Sequence, residues 1–93
     1  METLIWSNLA KHDLQEIYEY ISEDSELYAL RLIDKIIERI EILKVMPRSG
    51  KIVSEFENEN IRELIEGNYR IIYFISLETI EFVRVYHGSR LLK

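Results

Sequence analysis

The hydrophobic pattern of this chain changes period once, and that change restricts what it can fold into. Up to about Val45 the apolar residues recur at helical spacing, and from Ile61 they recur at the spacing of strands. Pro47-Arg48-Ser49-Gly50 lies between the two halves. Proline cannot continue a helix, and it disfavours helical backbone in the residue before it. In the first half Ala10, Leu14, Ile17, Tyr18 and Ile21 define one helix face, with Lys11, Asp13, Gln15, Glu16 and Glu19 mainly off it. Ser7 or Asn8 is placed to cap that helix. Ser22-Glu23-Asp24-Ser25 then supplies turn and cap residues. Ala29, Leu32, Ile33, Ile36, Ile37, Ile40 and Leu43 mark a second helix with a wide apolar stripe. Two helices joined so briefly run antiparallel.

Strands account for the rest. Thr3-Leu4-Ile5-Trp6 is short, apolar and partly β-branched, and Ile52-Val53 is a candidate short strand. Ile61 to Glu66, Tyr69 to Ser76 and Ile80 to His87 are three longer runs. Gly67-Asn68 suits a tight hairpin between the first two, and Leu77-Glu78-Thr79 can turn the chain into the third. Tyr69 to Ile75 is apolar on both faces, as expected of a central strand. The expected class is α+β: an N-terminal strand and a two-helix hairpin packed on one face of a mainly antiparallel sheet. Leu4, Trp6, Leu14, Ile17, Ile21, Ile33, Ile36, Ile40, Ile71, Tyr73 and Val85 are the expected core.

The chain's 93 residues, 47% of them hydrophobic, suit one domain over residues 1–93. There is no cysteine, which excludes disulfides and thiolate zinc sites. Nor is there a secretory-type start or an apolar run of the roughly 20 residues that span a membrane. A cytoplasmic protein is expected. Charge is uneven: residues 1–46 hold 5 Lys/Arg against 10 Asp/Glu, and residues 47–93 hold 7 of each. An acidic first half argues against wholesale nucleic-acid binding but leaves room for a local cationic site in the second.

Chemistry-bearing residues are few. His12 and His87 are the only histidines, there is no glycine-rich phosphate loop, and no cluster has metal-ligand spacing, so no metal or cofactor is expected. His12 reads as an exposed helical residue. The basic residues Arg62, Arg70, Arg84 and Arg90 all fall in the sheet half, as candidates for binding a phosphate or a partner. Arg70, in the central strand, needs a partner if buried. Glu63 or Glu66 across the hairpin would supply one, and the alternative is a guanidinium facing an outside anion. Strict alternation places Arg84 on one face with Ile80, Phe82 and Tyr86, and His87 on the other with Val83 and Val85.

The order and spacing of these segments resemble the RelE/ParE superfamily of type II toxin–antitoxin toxins over nearly the whole chain. The segments are "WSNLAKHDLQEIYEYI", "YALRLIDKIIERIEIL", "MPRSG", "IRELIEGNYRIIYFI" and "VRVYHGSR". The resemblance implies a helical hairpin over a curved antiparallel sheet, an antitoxin partner that covers apolar surface, and possible homo-oligomers. It also implies a choice of target. RelE-like members cleave mRNA on the ribosome, and under that reading Arg70, Arg90, His87 and Tyr86 are the catalytic candidates. Arg70 matches the arginine of the family's "YR" strand, and Arg90 matches an arginine after the last strand. The lysines of the nuclease type before Gly67 and its C-terminal helix with a late tyrosine have no counterpart here. The long hairpin, the P-x-x-G turn and the V-x-H-G-x-R ending resemble the ParE-like branch more closely, and that branch inhibits DNA gyrase. A degenerate member that only binds its antitoxin is the third option.

Overall fold

The computed structural model describes residues 1–88. The elements in chain order are β1 (Thr3–Trp6), α1 (Asn8–Ser22), α2 (Glu26–Ile40), a 3₁₀ turn (Glu41–Lys44), β2 (Lys51–Ile52), β3 (Ile61–Glu66), β4 (Tyr69–Ser76) and β5 (Thr79–His87). They form one five-stranded sheet in the order β1-β5-β4-β3-β2. The pairings β2–β3, β3–β4 and β4–β5 are antiparallel, and β1 joins β5 in parallel. The architecture is the expected α+β layer pair, with β4 central.

Local chemistry sets the boundaries. Ser7 Oγ accepts from Ala10 N–H at 3.0 Å and Ser25 Oγ from Tyr28 N–H at 3.1 Å, so a serine caps each helix. Gly67, at φ 58, is the first residue of the two-residue β3–β4 turn, where a left-handed residue matches strand twist. The second helix stops at Ile40 and tightens into the 3₁₀ turn before Pro47, short of the Val45 limit read from periodicity.

Helices and sheet enclose a core of Ala10, Ile36, Ile40, Leu43, Leu64, Ile71, Tyr73, Ile80, Phe82 and Val85. Leu4, Trp6, Leu14 and Ile17 pack against it partly buried. Ile37, read as part of the helix stripe, is 49% exposed. The stripe of α2 is wider than the surface it covers.

One irregularity redirects β5. Tyr73 faces Phe82, but Ile72 faces Arg84, so Val83 is an extra residue in the ladder. Cross-strand partners share a face. Val85 and His87 therefore follow Ile80 and Phe82 onto the helix face, while Arg84 and Tyr86 lie on the open face. The strict alternation that grouped Arg84 with Ile80 and Phe82 is corrected by this bulge.

Candidate functional site

The open face of the sheet is built around Arg70. Its neighbours Ile71 and Tyr73 enter the helix-covered core or its face, so alternation turns Arg70 the other way, level with Ile65 on β3 and Tyr86 on β5. Glu63 lies two residues along β3 on the same face. Arg70 Nε donates to Glu63 Oε2 at 2.8 Å, and its two terminal nitrogens donate to both carboxylate oxygens of Glu55 at 3.0 and 3.2 Å. The side chains of Arg70 and Glu63 are 12% and 6% exposed, so this pair is largely out of water. Glu55 is held below the ordinary carboxylate value chiefly by its hydrogen bond from Arg70. The same bond, with help from Glu63, fixes the Arg70 charge against the effect of burial. The sequence suggested Glu63 or Glu66 as partner. Glu63 serves, and Glu55 joins it from the loop after β2.

Arg62 is committed to backbone. Its Nε donates to Glu59 O at 3.0 Å, and Nη1 donates to Arg48 O and Gly50 O at 3.1 and 3.0 Å. Tyr73 completes this anchorage from the core side. Its hydroxyl donates to Pro47 O at 2.8 Å and accepts from Gly50 N–H at 3.0 Å. Burial raises the Tyr73 phenol above its ordinary value. Gly50 has no room for a side chain: a Cβ there would collide with Tyr73 Oη and lie 2.7 Å from Glu63 O. The P-x-x-G turn is thus fastened to the sheet by a tyrosine and an arginine.

Arg84 reaches α1. Its Nε and a terminal nitrogen donate to the two carboxylate oxygens of Asp13 at 2.8 and 3.0 Å, and Val85 N–H donates to Asp13 Oδ2 at 2.9 Å. β1 has ended by this level of β5, its last paired residue being Trp6 opposite Phe82. Asp13 therefore satisfies part of an edge that no strand covers. The Arg84 guanidinium also stands 4.6 Å from the centre of the Tyr86 ring. Asp13 is buried, although it was grouped with the polar residues of α1. The signal was present: Asp13 is three residues after Ala10 and four before Ile17, so it sits on the apolar face. Glu55 had no comparable signal, because nothing in a polar loop indicates which strand it will meet.

His87 stands opposite Tyr69 on the helix face, with ring centres 5.5 Å apart in an edge-to-face contact. Both line a groove of about 360 Å³ with Asp13, Glu16, Ile17 and Tyr20. Burial, and secondarily Tyr20, raises the Tyr69 phenol above its ordinary value. The nuclease-type candidates are therefore divided: Arg70 and Tyr86 share the open face, His87 lies on the other, and Arg90 is outside the described residues. His12 is an exposed helical residue 3.3 Å from Glu16. Among the described residues no group of three His, Asp or Glu side chains is arranged to hold a metal ion, and no helix is long and apolar enough to cross a membrane.

The chain as a whole is similar to proteins described as toxins. Toxin RelE2 of Caulobacter vibrioides is 28% identical over 92 residues, spanning 98% of this chain and all of that protein. A solved structure described as the chromosomal ParDE TA system from P. aeruginosa contains a chain with the same fold. It superposes with a TM-score of 0.76 at 23% identity, covering 94% of this chain and 96% of that one. The family model described as "ParE toxin of type II toxin-antitoxin system, parDE" matches residues 4–92. With a match over nearly its full length, the chain belongs to the ParE toxin family within the RelE/ParE superfamily of type II toxin–antitoxin systems.

Proposed function

We propose that this toxin inhibits DNA gyrase when free, in the cytoplasm, and is silenced by a cognate antitoxin. One observation carries the choice of target: Arg70, the residue a nuclease would turn to phosphate, is closed off by Glu63 and Glu55. A phosphate could reach it only by displacing Glu55 and approaching a Glu63 that is 6% exposed. Two carboxylates beside a phosphate oppose its binding, and the buried Glu63 would have to share its cation with the incoming anion. General acid–base catalysis also needs its groups within hydrogen-bond reach of one reacting atom. Arg70 and His87 lie on opposite faces of the sheet. The acidic character of the whole, a formal net charge of −5, works against steering onto ribosomal RNA.

The ribosome-dependent nuclease remains the second reading, because the Caulobacter relative bears a RelE name. A degenerate toxin that only binds its antitoxin is the third. A ribosome programmed with a defined mRNA separates the nuclease from the others. The expected result is intact mRNA at every toxin concentration. Cleavage that Arg70→Ala and His87→Ala both abolish in folded protein would establish the nuclease instead.

A further inference from the structure

Three large side chains are exposed within about one turn of the link between α1 and α2: Tyr20 at 74%, Leu27 at 59% and Tyr28 at 66%. The core face of α2 is made by Ala29, Ile36 and Ile40, so Leu27 and Tyr28 are not held outside for want of a partner in the core. Exposed tyrosines at the end of a rigid hairpin are the residue type that anchors protein interfaces.

Charge surrounds them. Between Lys11 and Arg31 the chain has no Lys or Arg and six acids: Asp13, Glu16, Glu19, Glu23, Asp24 and Glu26. Asp13 holds Arg84, and Glu16 lies 3.3 Å from His12. The other four are exposed at the hairpin end, and among the described residues none of them is in an ion pair. The placement works against the free chain. Glu19 and Glu23 are four apart along α1, where like charges repel across one turn. They also stand at the C-terminal end of that helix, which favours cations, and its last turn has none. A cation supplied from outside would relieve both effects.

We infer that the closed end of the helical hairpin docks on a cationic surface of the target protein, with Tyr20, Leu27 and Tyr28 as anchors inside an acidic rim. The inference rests on the gyrase proposal above and names the toxin surface that meets the enzyme. An enzyme that binds DNA presents cationic surface to phosphates, and the hairpin end is its charge complement. The sign of the charge excludes nucleic acid as the occupant. Two copies of this chain meeting end to end across a twofold would bring the acids against one another.

The test is gyrase supercoiling titrated with the purified full chain. Glu19→Gln, Glu23→Gln and Asp24→Asn combined should raise the half-inhibiting concentration at least about tenfold, as expected for lost charge complementarity. Tyr20→Ser combined with Tyr28→Ser should raise it by a similar factor. Both variants should keep a cooperative melting transition, because every group changed is exposed. Glu57→Gln, Glu59→Gln and Glu81→Gln combined remove the same number of charges elsewhere and should inhibit like the wild type. Inhibition by either hairpin variant at the wild-type concentration overturns the inference and leaves the gyrase proposal standing. An equal loss in the charge-matched variant assigns the effect to net charge, and also overturns it. No inhibition by the wild type overturns the gyrase proposal and the inference with it.

Discussion

Arg70 binds the loop after β2 to the sheet through two carboxylates, and Arg84 binds α1 to β5 through one. These single residues set distances that apolar packing alone leaves free. Removing one partner leaves the other buried, which is costlier than the net value of the pair. Arg70→Ala should lower stability by about 3 kcal/mol, because Glu63 would stay buried without its cation. Arg70→Met combined with Glu63→Leu should recover most of that loss in urea denaturation, since an apolar pair of similar size has no charge to bury. Gly50→Ala tests the turn. Its Cβ would meet Tyr73 Oη and the Glu63 carbonyl, and the second contact is backbone that cannot swing aside. A loss of about 1–3 kcal/mol is expected from such overpacking, read as a lower denaturation midpoint at unchanged slope.

At the scale of elements, β5 shows both what the sequence discloses and where it stops. The period switch, the serine caps and the Gly67-Asn68 hairpin are local, and the helices and longer strands were legible from them, whereas β2 lies at Lys51–Ile52, one residue before the Ile52-Val53 read from the sequence. Local patterns also identified β4 as central and Arg70 as needing a carboxylate. The Val83 bulge was not legible, because one extra residue is defined only by the partner strand opposite. The pairing of Arg84 with Asp13 joins residues 71 apart in sequence and depends on α1 crossing the edge that β1 leaves uncovered. The parallel placement of β1 beside β5 is likewise a property of the assembled sheet. The bulge makes a sharp prediction. Continuing the alternation from Phe82 without it would put Val85 outside, where arginine would be harmless. With it, Val85 is 3% exposed, and Val85→Arg should abolish cooperative unfolding by circular dichroism. Glu81→Arg, on the open face, should leave the cooperative transition in place.

For the molecule as a whole, titration of its engaged side chains sets how stability varies with pH. The Glu55 carboxyl titrates below its ordinary 4.5 in the folded chain, chiefly because of its hydrogen bond from Arg70. A depressed folded value means the contribution is complete above pH 4.5 and is lost as pH falls through the folded value. Glu55→Gln should therefore flatten the acid limb of the stability profile, measured by urea denaturation from pH 6 down. Tyr73 behaves oppositely. Burial raises its phenol above 10.0, so its contribution is complete below that pH and is lost as pH rises beyond it. The proposal is that a ParE-family chain whose sheet arginines Arg62, Arg70 and Arg84 are engaged by its own carboxylates and carbonyls acts on a protein target, not on RNA. The most direct measurement is DNA gyrase supercoiling titrated with the purified toxin, beside a ribosome-programmed mRNA. Dose-dependent loss of supercoiling is expected, reversed by the antitoxin, with the mRNA intact. Unimpaired supercoiling together with ribosome-dependent cleavage of the mRNA would contradict it.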